Sequence, residues 1–115
     1  MRPVTVYSMG GATSCPGVRV ISVVGLSNPY TNRTLRPLDG RHPAVQAWVL
    51  AHGGKAVLDA AEREVRAGKL EAIGFRCLGG HHRSAALAEL LGRRLGAEAP
   101  PHLELVCRVI HLDLP

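Results

Sequence analysis

The chain alternates between short aliphatic runs and breaker-rich stretches, and this pattern predicts most of the architecture. VTVYS (4–8) and VRVISVV (18–24) are rich in β-branched residues and bounded by Gly and Pro, so both read as strands. MGGATSCPG between them is a turn of small residues. LEAIGFRC (70–77) is a mostly apolar third strand, the kind buried at the centre of a sheet, and HLELVCRVI (102–110) is the last strand. Helices fill the gaps. Pro43 suits a first helical turn, and Val45, Trp48, Val49 and His52 recur at helical spacing until Gly53 and Gly54 break the chain. A second helix over about 55–67 puts Val57, Leu58, Ala61 and Val65 on one face, with Gly68 as its stop. A third begins at Arg83 and buries Leu87, Leu90, Leu91 and Leu95, with Arg93 and Arg94 outward.

Strands separated by helices predict an α/β fold: a single layered domain over 1–115, with about four strands, at least one parallel pairing and three helices. Ligands of such sheets gather at the carboxyl ends of the strands. Three breaker-rich loops could meet there, at 8–17, 25–42 and 77–83. No repeat, linker or low-complexity tract interrupts the chain.

Composition changes this picture little. The 115 residues include only four aromatics, Tyr7, Tyr30, Trp48 and Phe75, so aliphatic side chains and alanine must build the core. The formal charge of +5 favours phosphorylated or polyanionic partners but does not require them. Cys15, Cys77 and Cys107 form an odd set without close spacing, which suits reduced thiols and a cytoplasmic location. Cys107 alternates with apolar neighbours and reads as a core thiol, while Cys15 is unassigned. No stretch reaches the ~18 apolar residues of a membrane span, and nothing resembles a secretion signal.

The chemistry concentrates in CLGGHHRS (77–84), at the junction of a central strand and a helix. Gly79 and Gly80 free the backbone to turn its amides inward, and the helix that follows presents its positive end, so the turn can act as an anion nest. Arg83 adds a bidentate fork for phosphate oxygens, and Ser84 a hydroxyl or a helix cap. The same residues satisfy C-x5-R-S, which resembles the phosphate loop of cysteine-dependent protein tyrosine phosphatases. That alternative makes Cys77 the nucleophile and Arg83 the clamp. Against it, Arg76 precedes the cysteine where that family has His, and no Trp-Pro-Asp acid loop is present; Asp39 and Asp113 are only generic acids. A metal reading of His81 and His82 finds no second ligand pair. His42, His52 and His102 read as boundary residues, and no motif calls for a cofactor.

A second resemblance covers nearly the whole chain. LSNPY with LRPLDG (26–30, 35–40), CLGGHHRSAALAELL (77–91) and HLDL (111–114) are similar, in order and spacing, to blocks of the C-terminal domain of the RapZ family. Those bacterial proteins pair an N-terminal P-loop domain with a C-terminal phosphosugar-sensing domain. The resemblance implies a sensor or adaptor with a pocket for a phosphorylated amino sugar, its phosphate in the 77–84 loop, and RNA contact. It assigns ligand-binding roles to Asn28, Tyr30, Cys77, Gly79, Gly80, His82, Arg83, Ser84, His111 and Asp113; Leu78 falls within the same loop. The chain departs from the family pattern at Ser22-Val23-Val24, where the family has Asp-Val-Arg, at Leu78 (Thr), and at Leu112 (Arg). GGK at 53–55 is not a Walker A remnant, because position 49 is Val and position 56 is Ala, so ATP hydrolysis is not expected.

The expected ligand is therefore a sugar phosphate or nucleotide sugar. RNA is a weaker second partner, because single-strand readers need exposed aromatics and only Tyr30 is well placed. Arg33, Arg36, Arg41, Arg76 and Arg83 could form a basic rim for either. A homo-oligomer is left open.

Overall fold

The computed structural model describes residues 2–68, 70–97 and 105–115. One four-stranded sheet holds β1 (Arg2–Met9), β2 (Arg19–Ser22), β3 (Ala72–Arg76) and β4 (Leu105–His111) in the order β2-β3-β1-β4. All three pairings are parallel, with Tyr7 opposite both Gly74 of β3 and Ile110 of β4. The α/β fold expected from the sequence is thus the observed one. The expected strand at 102–110 is seen from Leu105; positions 102–104, His102 among them, lie outside the described residues.

Among the described residues, three α-helices, α1 (Pro43–Val49), α2 (Lys55–Arg66) and α3 (Arg83–Ala97), accompany the sheet. Helix α3 lies on β1, β3 and β4, and α1 and α2 pack against α3. Ile73, Gly74 and Phe75 are consecutive buried residues, as a strand covered on both faces requires. On β1 the buried residues alternate, Val4, Val6 and Ser8 facing one way. These strands share one core with Val45 and Val49 of α1, Leu58, Ala61 and Val65 of α2, and Leu87, Leu91 and Leu95 of α3. Full burial of a side chain such as Phe75 contributes about 1.5–3 kcal/mol.

Some details differ from the expected pattern. The break between the first two helices is not a clean stop. The chain passes through a wide turn at Leu50–Gly54, where Gly53 takes a φ of 99°. His52, read as a solvated or boundary residue, is exposed and stacks on Trp48, the ring centroids 3.7 Å apart. Arg93 and Arg94 point away from the core but are not idle. Arg93 donates to Gln46 Oε1, and Arg94 Nη1 reaches Asp59 at 2.6 Å and Glu62 at 3.1 Å on α2. Cys107 is only half-buried, and that burial pushes its thiol pKa up.

The long 25–42 loop is firmly held. It contains a single turn of tight helix at Pro29–Thr31, capped by the side chain of Asn28. Its far end lies flat on the first turn of α3. Gly40 N donates to His81 O at 2.7 Å, and Gly40 O accepts from the buried Gln46 Nε2 at 2.9 Å. A Cβ on Gly40 would sit 2.1 Å from Ala86 N, so only glycine permits this approach. Gly40→Ala should therefore cost about 3 kcal/mol, the upper end of overpacking, because backbone cannot yield. Gly25 has open space around it, and Gly25→Ala should change stability by less than about 1 kcal/mol. Urea unfolding of both variants checks this; equal losses would contradict the packing described.

Candidate functional site

The loops after β1, β2 and β3 meet at the carboxyl end of the sheet. Cys77 N donates to Met9 O, Gly11 N to Leu78 O, and Val23 N to Arg76 O, so the turn that leaves β3 is strapped from both sides. Gly80 adopts a φ of 75°, and a Cβ there would lie 2.6 Å from Gly10 N. The turn needs glycine for conformation and for space. Gly80 N donates to Cys77 Sγ at 3.3 Å, and Cys77 Sγ donates to Ser84 Oγ at 3.2 Å. Cys77 is 2% exposed and Ser84 fully buried. The two side chains thus staple the turn to the first residues of α3.

Beside this turn opens a pocket of about 300 Å³, lined by Asn28, Tyr30, Arg36, Cys77, Gly79, His81, His82 and Arg83. Among the described residues, no carboxylate lines it. Arg83 is only 3% exposed, and its Nη1 donates to Val24 O at 2.8 Å and Leu26 O at 2.9 Å. Its Nε is buried and has no acceptor. Arg36 also lines the pocket. Its Nε donates to Tyr30 O at 2.8 Å, and its guanidinium lies 4.7 Å from the centre of the Tyr30 ring. His82 Nε2 is 3.2 Å from Arg36 O. A carbonyl only accepts, so Nε2 carries the proton and Nδ1 is left free. The Tyr30 ring meets His82 edge-on at 6.2 Å.

The structure thus brings Asn28, Tyr30, Cys77, Gly79, His82 and Arg83 to one pocket, with Gly80 and Ser84 shaping the turn behind them. Leu78, 72% exposed, contributes its carbonyl to Gly11 and is not part of the lining. His111 and Asp113 also lie outside the lining. His111 Nδ1 is 2.6 Å from Ser8 Oγ and its Nε2 3.2 Å from Glu89. Asp113 Oδ2 accepts from Gly10 N and Thr13 Oγ1, both at 2.7 Å. Arg36 and His81 line the pocket although the sequence reading did not place them in the site. Arg36 had been grouped with a basic rim, but Arg41 is ion-paired to Asp39 at 2.7 Å and Arg76 reaches inward to Thr13 O. Both generic acids, Asp39 and Asp113, are therefore engaged elsewhere. Among the described residues, no three His, Cys, Asp or Glu side chains gather as a metal site, and no helix is long and apolar enough to cross a membrane.

Fold and site together define an open parallel α/β domain with a cation-lined pocket at the carboxyl ends of its strands. The chain belongs to the RapZ C-terminal domain family, whose profile matches residues 3–114. It is 38% identical to a nucleotide-binding protein of Mycolicibacterium paratuberculosis, over 96% of this chain and 39% of that protein. Against a nucleotide-binding protein of Mycobacterium tuberculosis the figures are 38%, 96% and 40%. A nucleotide-binding protein of Frankia alni is 39% identical over 77% of this chain and 32% of its own length. The chain spans about two-fifths or less of the length of these relatives.

The bond from Gly10 N, then that from Thr13, holds the Asp113 carboxyl below the usual carboxylate range. A lowered folded-state pKa stabilises the fold above the unfolded value of ~3.9, and that stability is lost as pH falls through the folded value. Asp113→Asn should thus cost about 1 kcal/mol at neutral pH, with the gap to wild type narrowing below about pH 4. Urea unfolding at the two pH values measures it; a constant gap would show that the charge is irrelevant there.

Proposed function

We propose that this domain binds a small phosphorylated ligand, a sugar phosphate or nucleotide sugar, and acts as a cytoplasmic regulatory sensor. One observation carries the reading. Arg83 is a buried cation, without a carboxylate partner among the described residues, whose Nε lacks an acceptor beside an open pocket. Burying a charge without its counter-charge is costly, and an anion in the pocket would offset that cost. A phosphate matches the guanidinium edge bidentately, and Asn28, the Gly79 backbone and His82 add neutral or positive partners.

Family membership supports a regulatory binding role, and the relatives' description as nucleotide-binding proteins agrees with a phosphorylated ligand. The single-domain organisation over 1–115 belongs to the same proposal. So does the assignment of Asn28, Tyr30, Cys77, Gly79, Gly80, His82, Arg83 and Ser84 to the ligand or its supporting turn. No observation favours the phosphatase alternative: the Cys77 thiol is committed to Gly80 and Ser84, and among the described residues no acid lines the pocket to protonate a leaving group. RNA contact rests on the resemblance, the +5 charge and the arginines of the 31–41 loop. One face of Tyr30, the aromatic best placed to stack on a base, is taken by Arg36.

Phosphate should stabilise the wild-type domain against urea at constant ionic strength, by an increment that grows with the logarithm of phosphate concentration. Arg83→Lys keeps the charge but loses the fork. It should weaken phosphate binding tenfold or more, since a charge-assisted bond contributes about 1.5–3 kcal/mol. An unchanged increment in folded Arg83→Lys would remove Arg83 from the site.

A further inference from the structure

The block HLDL (111–114) belongs to the family pattern, yet His111 and Asp113 do not line the pocket. Both side chains are engaged all the same. His111 Nδ1 lies 2.6 Å from Ser8 Oγ, and its Nε2 3.2 Å from Glu89 Oε1. Leu112 N donates to Ser8 O at 2.9 Å. Asp113 Oδ2 accepts from Gly10 N and Thr13 Oγ1, both at 2.7 Å. Pro115 O lies 3.5 Å from Arg41 Nη1. Residues 111–115 therefore form a strap that touches the end of β1, the loop after it, helix α3 and the 25–42 loop.

What the strap holds is the back of the 77–84 turn. A Cβ on Gly80 would meet Gly10 N at 2.6 Å and Asp113 Cβ at 3.0 Å, and one on Gly10 would meet Gly79 O at 3.2 Å. Gly10 is thus packed against the Gly79–Gly80 turn while Asp113 holds its N–H. Gly79 and Cys77 line the pocket, and Gly80 N donates to Cys77 Sγ. The contacts run without a gap from Asp113 to Gly10, from Gly10 to Gly79 and Gly80, and from Gly80 to Cys77. Contiguity alone is not coupling; a two-state element is also needed. The strap supplies it, because a segment held by a few bonds opens locally without unfolding the domain.

Resting on the phosphate-site reading above, we infer that docking of this strap and binding of phosphate are coupled, and that His111 and Asp113 are positioning residues rather than ligand contacts. Docked, the strap holds Gly10 against the turn and fixes the shape in which Gly79 meets the ligand. Released, it frees Gly10 and Thr13, and the turn loses its backing. Linkage is reciprocal, so bound phosphate holds the strap down by the same factor by which the docked strap tightens phosphate.

Hydrogen exchange of single amides, followed by nuclear magnetic resonance with and without inorganic phosphate at constant ionic strength, tests this on the unaltered chain. The Gly10 and Leu112 amides report on the strap, since their acceptors are Asp113 Oδ2 and Ser8 O. With phosphate saturating, both should exchange more slowly by about fivefold or more, the low end of ordinary coupling. Ala67 N, which donates to Arg63 O at the end of α2, should not change. In calorimetric titration Asp113→Ala should weaken phosphate binding by about the same factor. Asp113→Asn should lose less, because it keeps an acceptor for Gly10 N. Thr13→Val removes one of the two bonds and should also lose less than Asp113→Ala; if Asp113→Ala does not fold, Thr13→Val and the wild-type exchange decide. If phosphate binds but the Gly10 and Leu112 amides exchange as before, or slow no more than Ala67, the coupling falls and the phosphate site stands. Unchanged affinity in folded Asp113→Ala has the same consequence. If phosphate does not bind the wild-type chain, the site reading falls, and this inference with it.

Discussion

A buried arginine, without a carboxylate partner among the described residues, ties the loop after β2 to the start of helix α3. Arg83 opens helix α3, and one of its nitrogens crosses to the carbonyls of Val24 and Leu26, so the loop after β2 is tied to a helix far along the chain. One nitrogen, Nη1, bonds both carbonyls, while the side chain also lines the pocket. The cost of burying the charge is met only in part by two neutral acceptors. On the proposed reading, an anion in the pocket would offset the remainder.

The rest of the site consists of close backbone approaches that keep this cation in place. Gly80 lies against Gly10 with no room for a Cβ, and Gly40 lies against Ala86 in the same way. Each contact joins a loop to an element distant in sequence. The buried Cys77–Ser84 bond closes the turn from within, and Asp113 clamps Gly10 and Thr13 from behind. His111 continues that rear wall through Ser8 and Glu89. Residues that the sequence groups with the ligand site thus divide between those that line the pocket and those that hold its frame. The pocket is preformed because the frame is made of backbone bonds and short side chains with little rotamer freedom to lose.

Much of this was legible in the sequence because the signals were local. The β-branched runs at 4–8 and 18–24, the apolar strand ending at Cys77 and the helix starting at Arg83 all follow from periodicity and breakers within a few residues. The Gly79-Gly80 turn before Arg83 marks an anion nest for the same reason. What could not be read depends on distant packing. Nothing near Arg36 says that it will lie over Tyr30 and beside His82. His52 keeps helical spacing with Val45 and Trp48, yet the left-handed Gly53 swings the chain and leaves it outside. The sequence groups Asn28, Tyr30, Cys77, Gly79, His82 and Arg83, and only the fold shows that they line one pocket without a carboxylate among the described residues.

The central claim is that Arg83 Nε is waiting for an anion, and the most direct measurement observes that proton. In a proton–nitrogen correlation spectrum of arginine side chains, assigned with the Arg83→Lys variant, inorganic phosphate should shift the Arg83 Nε–H signal downfield and slow its exchange with water, saturably and at constant ionic strength. The account predicts that this signal moves most, with Arg36 following and the ion-paired Arg94 unmoved. A spectrum in which Arg83 stays still while phosphate shifts other arginines, or none, would contradict it.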